Sequence, residues 1–249
     1  MKHIENHTVR WHDTDAMREM RPSALLALMQ ETSNLQFVAA GQSLDAIRDK
    51  EGVGFILSRI SFDILRPLTA FEKIRVETFT CKGHGYTFPR GFEVFCGEEL
   101  VARCHSLWAL VRVGDRALVS CENFVLSFGD EPELSTDTPV RFRVPRDLAF
   151  GAVGERRITF ADLDYNMHMN NTKYPDMVCD FLPDPANLRV VGMSLAYYRE
   201  AAFGDTLAVE RADGGDGVYY FRTKKDDAVC LEAMVRTAPR DNKIKDEFF

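Results

Sequence analysis

No run in the 249 residues approaches the roughly 18 consecutive apolar positions needed to cross a membrane. The opening Met1-Lys2-His3-Ile4-Glu5-Asn6-His7 lacks the apolar stretch of an export signal. Both absences predict a cytoplasmic protein with no membrane partner. Positive charge is in deficit: 31 Lys and Arg against 38 Asp and Glu leave a net charge of −7. That argues against general nucleic-acid binding. The six cysteines (Cys81, Cys96, Cys104, Cys121, Cys179 and Cys230) form no CxxC pair and no zinc-ligand spacing. Several lie in strand-like apolar runs, so they read as free buried thiols of a reducing compartment. No Gly-rich phosphate loop stands out.

What is present is ordinary globular composition, 45% hydrophobic and 28% charged. The length admits one large domain or two of roughly 120 residues. Basic residues gather at Arg141, Arg143, Arg146, Arg156 and Arg157, and again at Lys224-Lys225, Arg240, Lys243 and Lys245. Solvated surface accounts for most of them.

The chain repeats itself. Val9-Arg10-Trp11-His12-Asp13-Thr14-Asp15 opens the first half, and Ile158-Thr159-Phe160-Ala161-Asp162-Leu163-Asp164 opens the second, at an offset of 149 residues. A helix follows each. The first begins near Pro22-Ser23, with Leu25, Leu28, Met29 and Leu35 along one face. The second can be capped by Asn170 or Asn171 and carries Tyr174, Met177, Val178 and Phe181, ending before Pro183. Strands come next. Ser61, Arg66, Glu72 and Glu77 meet Ser194, Arg199, Asp205 and Glu210 at an offset of 133. The drop of sixteen fits a shorter helix and connection in the second unit. Each unit is strand, helix, then about four strands, which predicts an α+β protein with antiparallel sheet wrapped on the helix. The expected boundaries are 1–128, a Pro- and charge-rich linker over 129–149, and 150–249.

One stretch carries chemistry. Asp164-x-Asn166-x-His168-x-Asn170-Asn171 puts a carboxylate, three amides and the only histidine of the second half just ahead of a helix. Such a turn can surround one small molecule with acceptors, amide donors and a group that titrates near neutral pH. Glu200 ends a strongly apolar strand and is the second candidate, as a general base. Asp and Asn also form turns and caps without any chemistry. The first half has Ala16-Met17-Arg18-Glu19-Met20 where the second has its Asn and His. His12, His84 and His105 have no partner motif.

The run Asp162-Leu163-Asp164-x-Asn166-x-His168-x-Asn170-Asn171-x-Lys173-Tyr174 resembles the signature of the acyl-acyl carrier protein thioesterases of plants and bacteria. Leu195-x-Tyr197-x-Arg199-Glu200 resembles their second block. The resemblance spans essentially the whole chain. It implies a tandem (double) hotdog, two curved antiparallel sheets each wrapped around a central helix. It implies catalytic roles for Asp164, Asn166, His168 and Glu200. Asn170 and Asn171 would help position substrate, with backbone N–H groups at the helix start stabilising an oxyanion. Plant members often carry Cys directly after the Glu, where this chain has Ala201. The mechanism expected is therefore water-based, with no cofactor and no metal. The degenerate first unit would shape an acyl tunnel, with Leu25, Leu28, Met29 and Ile56 as possible lining. The partner implied is acyl carrier protein, which is acidic, so a basic patch such as the central arginines should meet it. A homodimer is also expected, because related folds often pair their sheets. The competing readings are an acyl-CoA thioesterase, a non-catalytic acyl-binding or regulatory protein of the same fold, and a hydratase.

Overall fold

Antiparallel pairing organises this chain. The computed structural model describes residues 2–240; Lys243 and Lys245 lie outside them. The first half runs β1 (His3–Thr8), α1 (Pro22–Ala39), α2 (Leu44–Glu51), β2 (Val53–Ile64), β3 (Lys73–Thr80), β4 (Thr87–Cys96), β5 (Glu99–Arg112) and the short β6 (Leu118–Val119). The second runs β7 (Gly151–Arg157), α3 (Tyr174–Asp180), β8 (Leu188–Tyr197), β9 (Thr206–Asp213), β10 (Val218–Lys225) and β11 (Ala228–Pro239). The protein is mostly sheet with few helices.

The two sheets predicted from the repeat are halves of one. Strand order is β1-β3-β4-β5-β2-β8-β11-β10-β9-β7, with β6 paired to β5, and every strand pair is antiparallel. Read from the centre outward, each half has the same order. Across the junction Ser61 pairs with Ser194, its own counterpart in the repeat. A local two-fold axis therefore passes between them.

Local sequence explains the elements. Pro22 sits in the first turn of α1, where its missing N–H costs nothing. Leu25, Leu26 and Met29 face the core, and the buried stripe then turns polar through Thr32, Ser33 and Gln36 before Phe37. Leu35, expected on the apolar face, is only half-buried. In α3, Tyr174, Met177 and Val178 are buried as the spacing predicts, and Phe181 closes the helix as its C-cap residue. β9 alternates through Leu207 and Val209, and Ala212 is buried out of that phase. The unpredicted α2 is capped by Ser43, whose hydroxyl accepts the Ala46 N–H, and is ended by Gly52 at φ 64°. α2 has no counterpart in the second half, and α3 has 7 residues against 18 in α1. Those two differences explain the change of offset. One core cluster joins both halves through Leu26, Met29, Ile60, Phe62, Val178, Met193 and Leu195. A smaller one gathers Phe37, Ile47, Val53, Phe88 and Leu110.

The stretch 129–149 contains no helix or named strand, yet it is pinned to the junction. The buried Asp63 carboxylate accepts the Asp137 N–H (2.7 Å), the Thr138 N–H (3.0 Å) and the Thr138 hydroxyl (2.6 Å). Arg103 pairs with the same group at 3.0 Å. Asp63 lies opposite Gly192 in the β2–β8 ladder, and a Cβ on Gly192 would fall 2.1 Å from the Thr138 hydroxyl. Asp63→Ala leaves these buried donors without an acceptor. It should lower stability by about 3 kcal/mol, read as a lower denaturant midpoint at unchanged m-value.

Candidate active site

The site begins as a turn that both halves build. Asp162 is buried; its Oδ2 accepts the Thr159 N–H and hydroxyl, both at 2.8 Å, and its Oδ1 accepts from Arg156 at 2.6 Å. Asp13 does the same with the Arg10 N–H and guanidinium. Asp164 then accepts the N–H groups of Asn166 (2.8 Å) and His168 (3.4 Å). Asp15 accepts those of Met17 (2.8 Å) and Glu19 (3.1 Å). Met167 and Arg18 occupy the same left-handed position, each at φ 64°. Both aspartates of the motif thus hold backbone, and they do so even where the chemistry is missing.

A second contact brings the dyad together. The Met169 N–H donates to the Ala201 carbonyl at 2.8 Å, and His168 forms a backbone bridge with Ala202. The Asp205 carboxylate holds the Ala202 N–H at 2.8 Å. The loop after β8 is thereby fastened to the His168 turn. His168 Nε2 lies 3.4 Å from Glu200 Oε2, with side chains 28% and 40% exposed, so water reaches both. The first half repeats this scaffold: Met20 N–H to Leu68 carbonyl, and a bridge between Glu19 and Thr69. Glu19 takes the place of His168, and Pro67 that of Glu200. There Glu19 and Asp15 pair with Arg240. A cavity of about 630 Å³ opens beside this degenerate turn, lined by Asp15, Glu19, Arg189 and Arg240. Neither His168 nor Glu200 lines it, and three of its carboxylates, Asp15, Glu19 and Asp162, are held in ion pairs.

The other expected residues divide. Asn166 sits at the exposed tip, and its amide has no hydrogen-bond partner among the described residues. Asn170 caps the helix start, its Oδ1 accepting the Thr172 N–H (2.9 Å) and hydroxyl (2.8 Å). Those bonds, with the Lys173 N–H donated to the Asn170 carbonyl, use two of the N–H groups expected to serve an oxyanion. Asn171 Oδ1 is buried with no partner. Sequence reasoning missed Arg116. This first-half residue, in the turn between β5 and β6, donates to Glu200 Oε2 at 3.2 Å. Nothing local in the sequence marks it, because the contact spans 84 residues.

Burial pushes the Cys81 thiol up to about 11 and that of Cys179 up to about 12. It also raises Cys104 and Cys230. The first-half positions named as tunnel lining do not line a cavity together: Leu25 and Met29 are core, and Ile56 is 40% exposed. Among the described residues, no three His, Cys, Asp or Glu side chains converge on a metal position. No described helix is long and apolar enough to cross a membrane.

Family models decide the grouping. The acyl-ACP thioesterase N-terminal domain matches residues 1–127, and the C-terminal domain of the same family matches 152–237. This chain belongs to the acyl-ACP thioesterase family. It is a thioester hydrolase, and its reaction is hydrolysis of fatty acyl-acyl carrier protein. Among solved structures it is similar to an acyl-ACP thioesterase from Bacteroides thetaiotaomicron, at TM-score 0.85 and 17% identity, covering 95% of this chain and 98% of that one. It is also similar to the 12:0-ACP thioesterase from Umbellularia californica, at TM-score 0.83 and 19% identity, covering 96% and 98%. At those identities the likeness shows the fold alone. No curated protein matches by sequence.

Asp162 yields a pH prediction. Burial alone would raise its carboxyl, but the Thr159 N–H and hydroxyl and the Arg156 guanidinium outweigh this and hold it below the usual carboxylate range. A lowered pKa stabilises the fold above the unfolded-state value, and that stability is lost as pH falls through the folded-state value. Asp162→Asn should therefore cost about 1–3 kcal/mol at neutral pH. The gap from wild type should narrow below about pH 4, where the unfolded carboxyl protonates. Denaturant titrations at several pH values measure it.

Proposed function

We propose that this thioesterase uses water as its nucleophile and the His168–Glu200 pair as its proton acceptor. The 3.4 Å contact between the two side chains, within the half matched by the C-terminal family domain, carries the reading. Water attacks the thioester carbonyl carbon and its proton passes to the pair. The tetrahedral intermediate collapses, the C–S bond breaks, and the pair returns a proton to the leaving sulfur. A free fatty acid and the carrier's thiol result, ending chain elongation. Asp164 acts by holding the backbone of Asn166 and His168. Asn166 offers an uncommitted amide to the thioester or its oxyanion. Asn170 shapes the helix start, and the partnerless Asn171 Oδ1 is the acceptor we assign to an amide of the carrier's prosthetic arm.

We read 1–128 and 150–249 as two hotdog units joined by 129–149, in a cytoplasmic enzyme. Arg141, Arg143, Arg146 and Arg157 are exposed, whereas Arg156 is bound to Asp162. The exposed four form the face we assign to the acidic carrier. Pairing of two chains is a further proposal, decided by light scattering.

His168→Ala and Glu200→Ala should each slow thiol release from acyl carrier protein by about 10²-fold or more while the fold persists. Near-wild-type turnover in both variants sinks the site assignment. Faster turnover of acyl-CoA than of acyl carrier protein would favour the CoA reading. Acyl binding with no thiol release would favour a binding protein.

A further inference from the structure

The two halves exchange arginines. Arg240 follows β11, the last long strand of the second half, and its guanidinium pairs with Glu19 and Asp15 in the first-half turn. Arg116 follows β5, the last long strand of the first half, and its Nη1 donates to Glu200 Oε2 at 3.2 Å, beside the second-half turn. β5 and β11 hold equivalent places in the sheet, each paired with the strand at the junction, β2 or β8. Each arginine thus leaves its own half and meets a carboxylate of the other.

The two contacts differ in what they leave free. The Arg240 side chain is 11% exposed, bonds two carboxylates and also donates to the Leu188 carbonyl. That arrangement is an ion-paired lock. The Arg116 side chain is 70% exposed and touches one oxygen of one carboxylate, which solvent still reaches.

Around Glu200 the backbone is fixed. The Tyr198 and Arg199 N–H groups donate to the Cys230 carbonyl, and the Ala201 carbonyl accepts the Met169 N–H. The side chain has only two polar partners among the described residues, His168 Nε2 at 3.4 Å and Arg116 Nη1 at 3.2 Å, both on Oε2. A glutamate has much rotamer freedom to lose, and 3.4 Å is long for a hydrogen bond. The guanidinium therefore supplies the closer of the two contacts that orient the carboxylate.

The turn is built to present this side chain. Arg112 pairs with Asp115 at 2.8 Å, Asp115 Oδ1 accepts the Ala117 N–H, and the Arg116 N–H donates to the Arg112 carbonyl. Arg116 itself stands at φ 56°, a conformation that glycine reaches more cheaply. Backbone held in such regions collects at functional sites.

We propose that Arg116 is a positioning residue for the thioester hydrolysis. From the first half it holds Glu200 Oε2 against His168 Nε2, so the proton-accepting pair is set before the thioester arrives. The proposal rests on the thioesterase reading. An exposed ion pair adds little to stability, so the contribution of this one is orientation, to which rate is far more sensitive.

Arg116→Gly removes the side chain and suits the left-handed backbone, so the turn persists. The substrates are acyl carrier protein charged with lauroyl, palmitoyl or oleoyl groups, and thiol release is followed. In this variant kcat should fall by about tenfold or more, with KM within about twofold of wild type. Arg116→Lys should recover part of the loss. Added guanidinium ion, at concentrations that leave the fold intact, should speed Arg116→Gly and leave wild type unchanged. Unchanged kcat overturns the proposal. So does a rise in KM alone, which would make Arg116 a contact for the carrier. A loss of kcat that neither lysine nor guanidinium recovers also overturns it, because the cause would be the turn and not the charge. Wild type that releases no thiol from any of these substrates sinks the functional reading and the proposal together. An active wild type matched by Arg116→Gly sinks the proposal alone.

Discussion

Pairing of β2 with β8 is the constraint on which the rest of the molecule depends. Two similar strand-rich units become a single sheet because these strands exchange backbone hydrogen bonds from Arg59↔Ala196 to Asp63↔Gly192. The join buries Ile60, Phe62, Met193 and Leu195, each contributing about 1.5–3 kcal/mol of apolar burial. The same ladder sets the relative height of the halves. A slip of one residue would turn Phe62 and Met193 to the opposite face and separate Asp63 from the linker that it anchors. Gly192 is small for that reason: the linker's Thr138 occupies the space of its missing side chain.

Duplication separates scaffold from chemistry. The buried aspartates Asp13 and Asp162, the turn aspartates Asp15 and Asp164, and the left-handed residues Arg18 and Met167 match position by position. Both turns are fastened to the loop that follows their strand. What differs is the cargo. One copy presents His168 and Glu200, partly exposed and in contact; the other presents Glu19 clamped by Arg240. The backbone arrangement thus brings His168 and Glu200 together in one copy, and in the other it carries no such pair.

The two halves also meet at Glu200. Arg116 reaches Glu200 from the first half, and the chain beyond it, through Phe124, Leu126 and Phe128, packs on the smaller core cluster. A carboxylate touched by both an imidazole and a guanidinium is directed on one oxygen and open on the other.

Periodicity and turn chemistry are local, and they were legible: the helices at Pro22 and Tyr174, the strands after them, the repeat and the Asn-rich turn all follow from spacing within a few residues. α2 escaped because its eight residues carry one buried position, Ile47, too weak a pattern to read. Gln36 in the polar part of α1 escaped because it answers to Arg90, 54 residues away. Arg116 and the partial use of the helix-start N–H groups escaped for the same reason. By itself, then, the sequence determined which side chains can exchange a proton and which turns carry them. Only the tertiary structure decided which of them meet, because contact depends on strand register and loop closure over distances that no local pattern encodes.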